Sequence, residues 1–268
     1  MEGTYYKEWS PVLGREMEFK VYGHSGVPVL ALPARGGRFY DWENSGTVDA
    51  AASLLNSGKM QLFCADSIDA ESLLAGNASP RRKAELQEKY FNYLTVELAA
   101  RIRELNAPSV PEDEASAKKD EASAKKTEPV RLWCAGIDTG AYQAVNCRLR
   151  RPEVFAGAIG LSGIYDVSRF FGPADGDDLI LRNSPLAALH TDGLLDNSLL
   201  AKADENSLFL CVGQGGYEDE ALADTKALSS ALEEQGLPAH IEIWGGDVSH
   251  DWYWWNKQFG MFAQRLFD

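Results

Sequence analysis

The sequence is short of basic residues and lacks any metal-type cysteine spacing, and each absence closes off a class of function. Lysine and arginine number 26 against 40 aspartates and glutamates, a formal charge of −14. Nucleic acid and anionic membranes both need basic patches, so neither is an expected partner, and the acidic surplus reads as solubility. The four cysteines, Cys64, Cys134, Cys147 and Cys211, show no C-x-x-C and no metal-ligand spacing. Three of them lie in apolar runs that read as central strands, where cysteine is a small buried hydrophobe. Free thiols and a reducing, cytoplasmic setting are therefore expected, with no metal and no cofactor called for. No apolar run reaches the roughly 18 residues that a membrane span requires. The opening MEGTYYKEW has neither the basic start nor the apolar centre of a secretory signal.

What the chain does have is a glycine turn set between a strand and a helix, in RLWCAGIDTGAYQAVNCRLRR, Arg131 to Arg151. Val130 to Cys134 is apolar and short enough for a buried strand. After the turn, Ala141, Ala144, Val145 and Leu149 recur at helical spacing. Strand, tight turn and helix are the context of a nucleophile elbow, G-x-S-x-G. The central residue of an elbow sits on a strained turn, and its flanking positions have no room for a Cβ. Gly136 and Gly140 complete the pattern; its centre is Asp138, not serine.

Around the elbow, strands alternate with helices. REMEFKVY (Arg15 to Tyr22) alternates like a half-exposed strand, and VPVLAL (Val27 to Leu32) reads as a buried one. A glycine-bearing loop follows, with aromatics Phe39, Tyr40 and Trp42. Thr47 to Leu55 reads as a helix with Thr47 as N-cap, and Met60 to Cys64 as a strand. Ser79-Pro80 starts a long helix to about Leu105 with one apolar face. Further strands are expected over Ala156–Ser162, Leu208–Val212 and His240–Trp244, with helices over Ala221–Gln235 and Trp252–Phe267. Gly163 to Glu205 is irregular and suits a lid. The alternation indicates one α/β domain over 1–268, with a doubly wound, mostly parallel sheet of about eight strands. Residues 107–129 break the pattern: DEASAKK occurs twice in tandem, Asp113–Lys119 and Asp120–Lys126, without an apolar seam. They read as a low-complexity surface insertion.

Ligands of open parallel sheets bind at the carboxyl ends of the strands. Asp138, Glu218 and His250 fall there, in the chain order nucleophile, acid, histidine. His250 would be the general base, and Glu218 would orient its imidazole. The backbone N–H of Thr139, with a second from the loop at Arg35-Gly36, would make the oxyanion hole. With two carboxylates near one imidazole, an Asp138–His250 ion pair is expected. Arg38, Tyr40, Trp42, Tyr165 and Trp252 are the expected pocket walls for a small-molecule substrate or ligand; homo-oligomer formation is left open.

Several segments resemble a bacterial esterase family related to esterase D and S-formylglutathione hydrolase. They are GGRFYDWE (Gly36–Glu43), AYQAVNCRLRRPEVFAGAIGLSGIYD (Ala141–Asp166), NSPL (Asn183–Leu186), CVGQGGYEDEAL (Cys211–Leu222) and VSHDWYWW (Val248–Trp255). The resemblance implies an α/β-hydrolase fold and a carboxyl-ester hydrolase ancestry. By position, Glu218 takes the family's acid place, His250 the catalytic histidine's, and Asp138 the serine's. Three roles then stay open for the chain: an esterase scaffold whose ester hydrolysis is lost or reduced, used for binding; a hydrolase using Asp138 as nucleophile or water base, as in haloalkane dehalogenases and epoxide hydrolases; and an esterase whose serine was exchanged to trap substrate.

Overall fold

The alternating run REMEFKVY pairs as one arm of a hairpin. In the computed structural model, which describes residues 1–106, 129–173, 175–201 and 207–268, β2 (Arg15–Tyr22) runs antiparallel to β1 (Thr4–Ser10). The strand β1 is not expected from sequence: it is mostly exposed, so no hydrophobic period marks it. The buried runs give β3 (Val27–Leu32), β4 (Met60–Ala65), β5 (Leu132–Ile137), β6 (Phe155–Leu161), β7 (Leu208–Val212) and β8 (His240–Ile243). They join in one eight-stranded sheet, ordered β1-β2-β4-β3-β5-β6-β7-β8, with every pair from β4 to β8 parallel.

Successive side chains of a strand point to opposite faces, and here both faces are covered. Leu30 and Leu32 of β3 join a core with the helices of 80–106 and Thr139–Arg150. Val29 and Ala31 join a second core with the segment 47–56 and the closing helix Trp252–Phe267. Burial on both faces explains why the central strands read as continuous apolar runs. All four cysteines are free and buried. Among the described residues, no helix is long and apolar enough to cross a membrane.

Three local expectations are corrected. Thr47 is not an N-cap: Gly46, at φ 89°, precedes the helix, and the segment splits into Thr47–Ala50 and Ala52–Asn56. The long helix does start at Pro80, where the Ser79 hydroxyl accepts from the Arg82 amide at 3.2 Å. Its middle, Tyr93–Leu98, is a π turn, which keeps Tyr93, Leu94, Thr95 and Leu98 buried while Val96 faces solvent. The elbow strand starts at Leu132 and runs on to Ile137, so it feeds directly into the turn. The tandem heptads lie outside the described residues.

Candidate active site

The turn at the end of β5 is tight enough that only glycine fits on either side. A Cβ on Gly136 would overlap the Gly140 carbonyl, and one on Gly140 would overlap the Pro33 and Leu32 carbonyls. Between them Asp138 adopts φ 54° and ψ −117°, a conformation that costs a non-glycine residue about 1–3 kcal/mol. Backbone bonds hold it there. Its amide donates to the Leu161 carbonyl at 3.0 Å, and its carbonyl accepts from the amides of Ala141 and Tyr142 at 3.1 and 3.3 Å. Asp138 is thereby raised at the carboxyl end of the sheet, at the start of the helix Thr139–Arg150, and is 5% exposed.

Its carboxylate is partnered by Arg35, not by His250. The Arg35 guanidinium, on the loop after β3, reaches Asp138 Oδ1 at 3.1 Å. His250 instead places Nδ1 3.1 Å from Glu218 Oε2. The expected Asp138–His250 ion pair is therefore replaced by two separate pairs. Glu218 is fully buried and its other oxygen is saturated: Oε1 accepts from the Ser162 hydroxyl at 2.6 Å and from the Gly213 amide at 3.4 Å. Ser162, itself at φ 46°, accepts in turn from Trp255 Nε1 at 2.9 Å. Trp255 also meets the His250 ring edge-on, with centroids 4.8 Å apart. Trp255, Ser162, Glu218 and His250 thus form one connected chain. A carboxylate oxygen can only accept, so Nδ1 is the ring nitrogen placed to donate to Glu218, and Nε2 is the one not engaged in that pair.

A cavity of about 450 Å³ lies over Asp138, lined by Arg35, Asp138, Ile164, Tyr217, Asp219, Glu220 and His250. None of the five pocket residues expected from sequence lines it. Trp42 and Tyr165 are fully buried in the cores; Trp42 donates to the Leu32 carbonyl at 3.1 Å and packs edge-on against Phe259. Arg38 is held by Asp66 and Glu18 at 2.8 and 2.7 Å. Tyr40 stands edge-on to Phe39, and Trp252 edge-on to Trp255. Bulky aromatics beside the sheet are filling the space between layers, which the sequence pattern does not distinguish from lining a pocket.

The oxyanion-hole expectation divides. Thr139 is the first residue of its helix, so its amide has no intrahelical partner. The Gly36 amide is already engaged: it donates to Asp69 Oδ2 at 3.2 Å, and the Thr139 hydroxyl donates to the same oxygen at 2.8 Å. Asp69 is 2% exposed. Burial, opposed by these two hydrogen bonds and reinforced by nearby Asp138, holds its carboxyl above the ordinary range. Sequence reasoning passed over Asp69, which sits in the polar turn after β4 without a distinguishing neighbour. It also passed over Tyr217, whose φ of 64° and 93% exposure place it at the cavity rim.

No protein-family model matches the sequence, and no curated protein does. Solved structures do match, over nearly the whole chain and at low identity. An S-formylglutathione hydrolase from Agrobacterium tumefaciens superposes with a TM-score of 0.67 at 15% identity, covering 98% of this chain and 95% of its own. A fluorophosphonate-binding serine hydrolase of Staphylococcus aureus gives 0.66 at 14% identity, covering 100% of both chains. A ferulic acid esterase from Anaeromyces mucronatus gives 0.66 at 13%, covering 99% and 90%. The eight-stranded, mostly parallel sheet with flanking helices is an α/β-hydrolase fold.

Proposed function

We propose that the chain is an esterase-type α/β-hydrolase in which the serine route of ester hydrolysis is lost, leaving a charged recess that binds a small molecule. The observation that carries this is Asp138 at the elbow, paired with Arg35 at 3.1 Å. A serine alkoxide attacking an ester leaves an acyl-enzyme that water opens. A carboxylate attacking the same carbon would form a mixed anhydride. It is the weaker nucleophile and the better leaving group, so the tetrahedral adduct reverts. Pairing with a guanidinium lowers its nucleophilicity further. The esterase ancestry draws support from the fold neighbours, which include an S-formylglutathione hydrolase and ferulic acid esterases, and from the resembling segments of the sequence. The test is Asp138→Ser with p-nitrophenyl acetate: the variant should gain turnover over the unaltered chain, and a second change, His250→Ala, should remove it. Failure of His250→Ala to remove a gained activity contradicts the assignment of the base.

The intact Glu218–His250 pair favours a second reading. Asp138 would displace a leaving group from saturated carbon, forming an alkyl ester, and water deprotonated by His250 would then hydrolyse that ester. Turnover of a haloalkane or an epoxide, abolished by Asp138→Asn, would establish it; its absence across both classes would leave the binding role.

A further inference from the structure

The Asp69 side chain is bonded to the two residues that would frame an oxyanion in an esterase-type site. It lies in the turn after β4, and its backbone carbonyl is fixed by the amides of Ser72 and Leu74 at 3.2 and 2.8 Å. Its side chain crosses to the elbow, where one oxygen, Oδ2, takes both the Gly36 amide and the Thr139 hydroxyl. Gly36 is on the loop that would supply one oxyanion donor, and Thr139 is the residue whose amide would supply the other. Thr139 is fully buried, so no water competes for its hydroxyl.

We propose that Asp69 is an internal occupant of the oxyanion position, a specificity-determining residue that closes the site to acyl transfer independently of Asp138. The proposal rests on the reading of the site as an esterase-type one. A tetrahedral intermediate formed at position 138 would find the Gly36 donor taken and a carboxylate beside its developing negative charge. Losing one such donor costs about 10²–10³-fold in kcat, and like-charge repulsion adds to that. Serine at the elbow alone therefore gives measurable but low turnover, which removal of Asp69 should raise. A residue that merely tied the β4 turn to the elbow would act on stability; an occupant of the oxyanion position acts on kcat and spares KM.

The experiment compares p-nitrophenyl acetate hydrolysis by four full-length proteins: the unaltered chain, Asp138→Ser, Asp138→Ser with Asp69→Ala, and Asp138→Ser with Thr139→Val. The Asp69→Ala double variant should exceed the Asp138→Ser single variant by about 10²-fold in kcat with KM little changed. Thr139→Val removes the hydroxyl that tethers Asp69 but keeps the backbone amide, and should give about tenfold. Thermal melts establish which variants are folded; if Asp69→Ala is not, the Thr139→Val comparison decides. A kcat no higher than that of Asp138→Ser in the folded double variants overturns the proposal. Hydrolysis by the unaltered chain would instead overturn the reading of the elbow, and the comparison among serine variants would still report on Asp69.

Discussion

Arg35 and Asp138, 103 positions apart in sequence, meet at 3.1 Å where the loop after β3 faces the elbow. The contact sets the character of the site. Asp138 is almost fully buried and Arg35 partly so, with side-chain exposures of 8% and 40%. The Asp138 carboxylate at the tight turn thus has its charge answered by a neighbour on the loop after β3, and His250 is left to Glu218.

The Arg35–Asp138 pair should be measurable as a coupling. A double-mutant cycle with Arg35→Met and Asp138→Asn is expected to return about 1 kcal/mol in urea unfolding, falling as salt rises, because one partner is exposed. Additive single changes would mean the pair contributes nothing.

Trp42 separates core from pocket. Its complete burial, its bond to Leu32 and its contact with Phe259 predict that Trp42→Ala lowers stability by about 3–5 kcal/mol. Tyr40→Ala, two residues earlier on the exposed loop, should change it by about 0.5 kcal/mol or less. Equal effects in denaturant unfolding would refute the placement of Trp42 between the helices and the sheet.

Asp69 should leave a mark on stability against pH. Burial raises its carboxyl above the ordinary value, which the unfolded chain keeps at about 3.9. The folded state therefore binds that proton more tightly than the unfolded one. The stability from this group is fully present below the unfolded value and is lost as pH rises through the folded value. Asp69→Asn does not ionise, so its stability relative to the unaltered chain should be higher at pH 7 than at pH 3.5. A difference independent of pH would show that Asp69 ionises normally.

Much of the architecture was legible in the sequence because the central strands are buried on both faces and write themselves as apolar runs. The tight turn between β5 and its helix was legible because Gly136 and Gly140 have no room for a Cβ, a constraint that holds whatever residue stands at position 138. The Glu218–His250 pair was readable from chain order at the ends of β7 and β8. The hairpin strand β1 was not, since an exposed edge needs no hydrophobic period. Arg35 as partner to Asp138 and Asp69 as partner to Gly36 were hidden for a different reason. Both depend on which loops face one another across the end of the sheet, and a single sequence carries no signal of that. The aromatic pocket was misread because Trp42 and Tyr165 serve packing with the same residue types a pocket would use.

The most direct test of the account is p-nitrophenyl acetate hydrolysis by the unaltered chain beside Asp138→Asn. The account predicts rates for both that match buffer alone, because a carboxylate at the elbow returns its tetrahedral adduct to ester. Turnover by the unaltered chain that disappears in Asp138→Asn would contradict it, and would make Asp138 a working group in acyl hydrolysis.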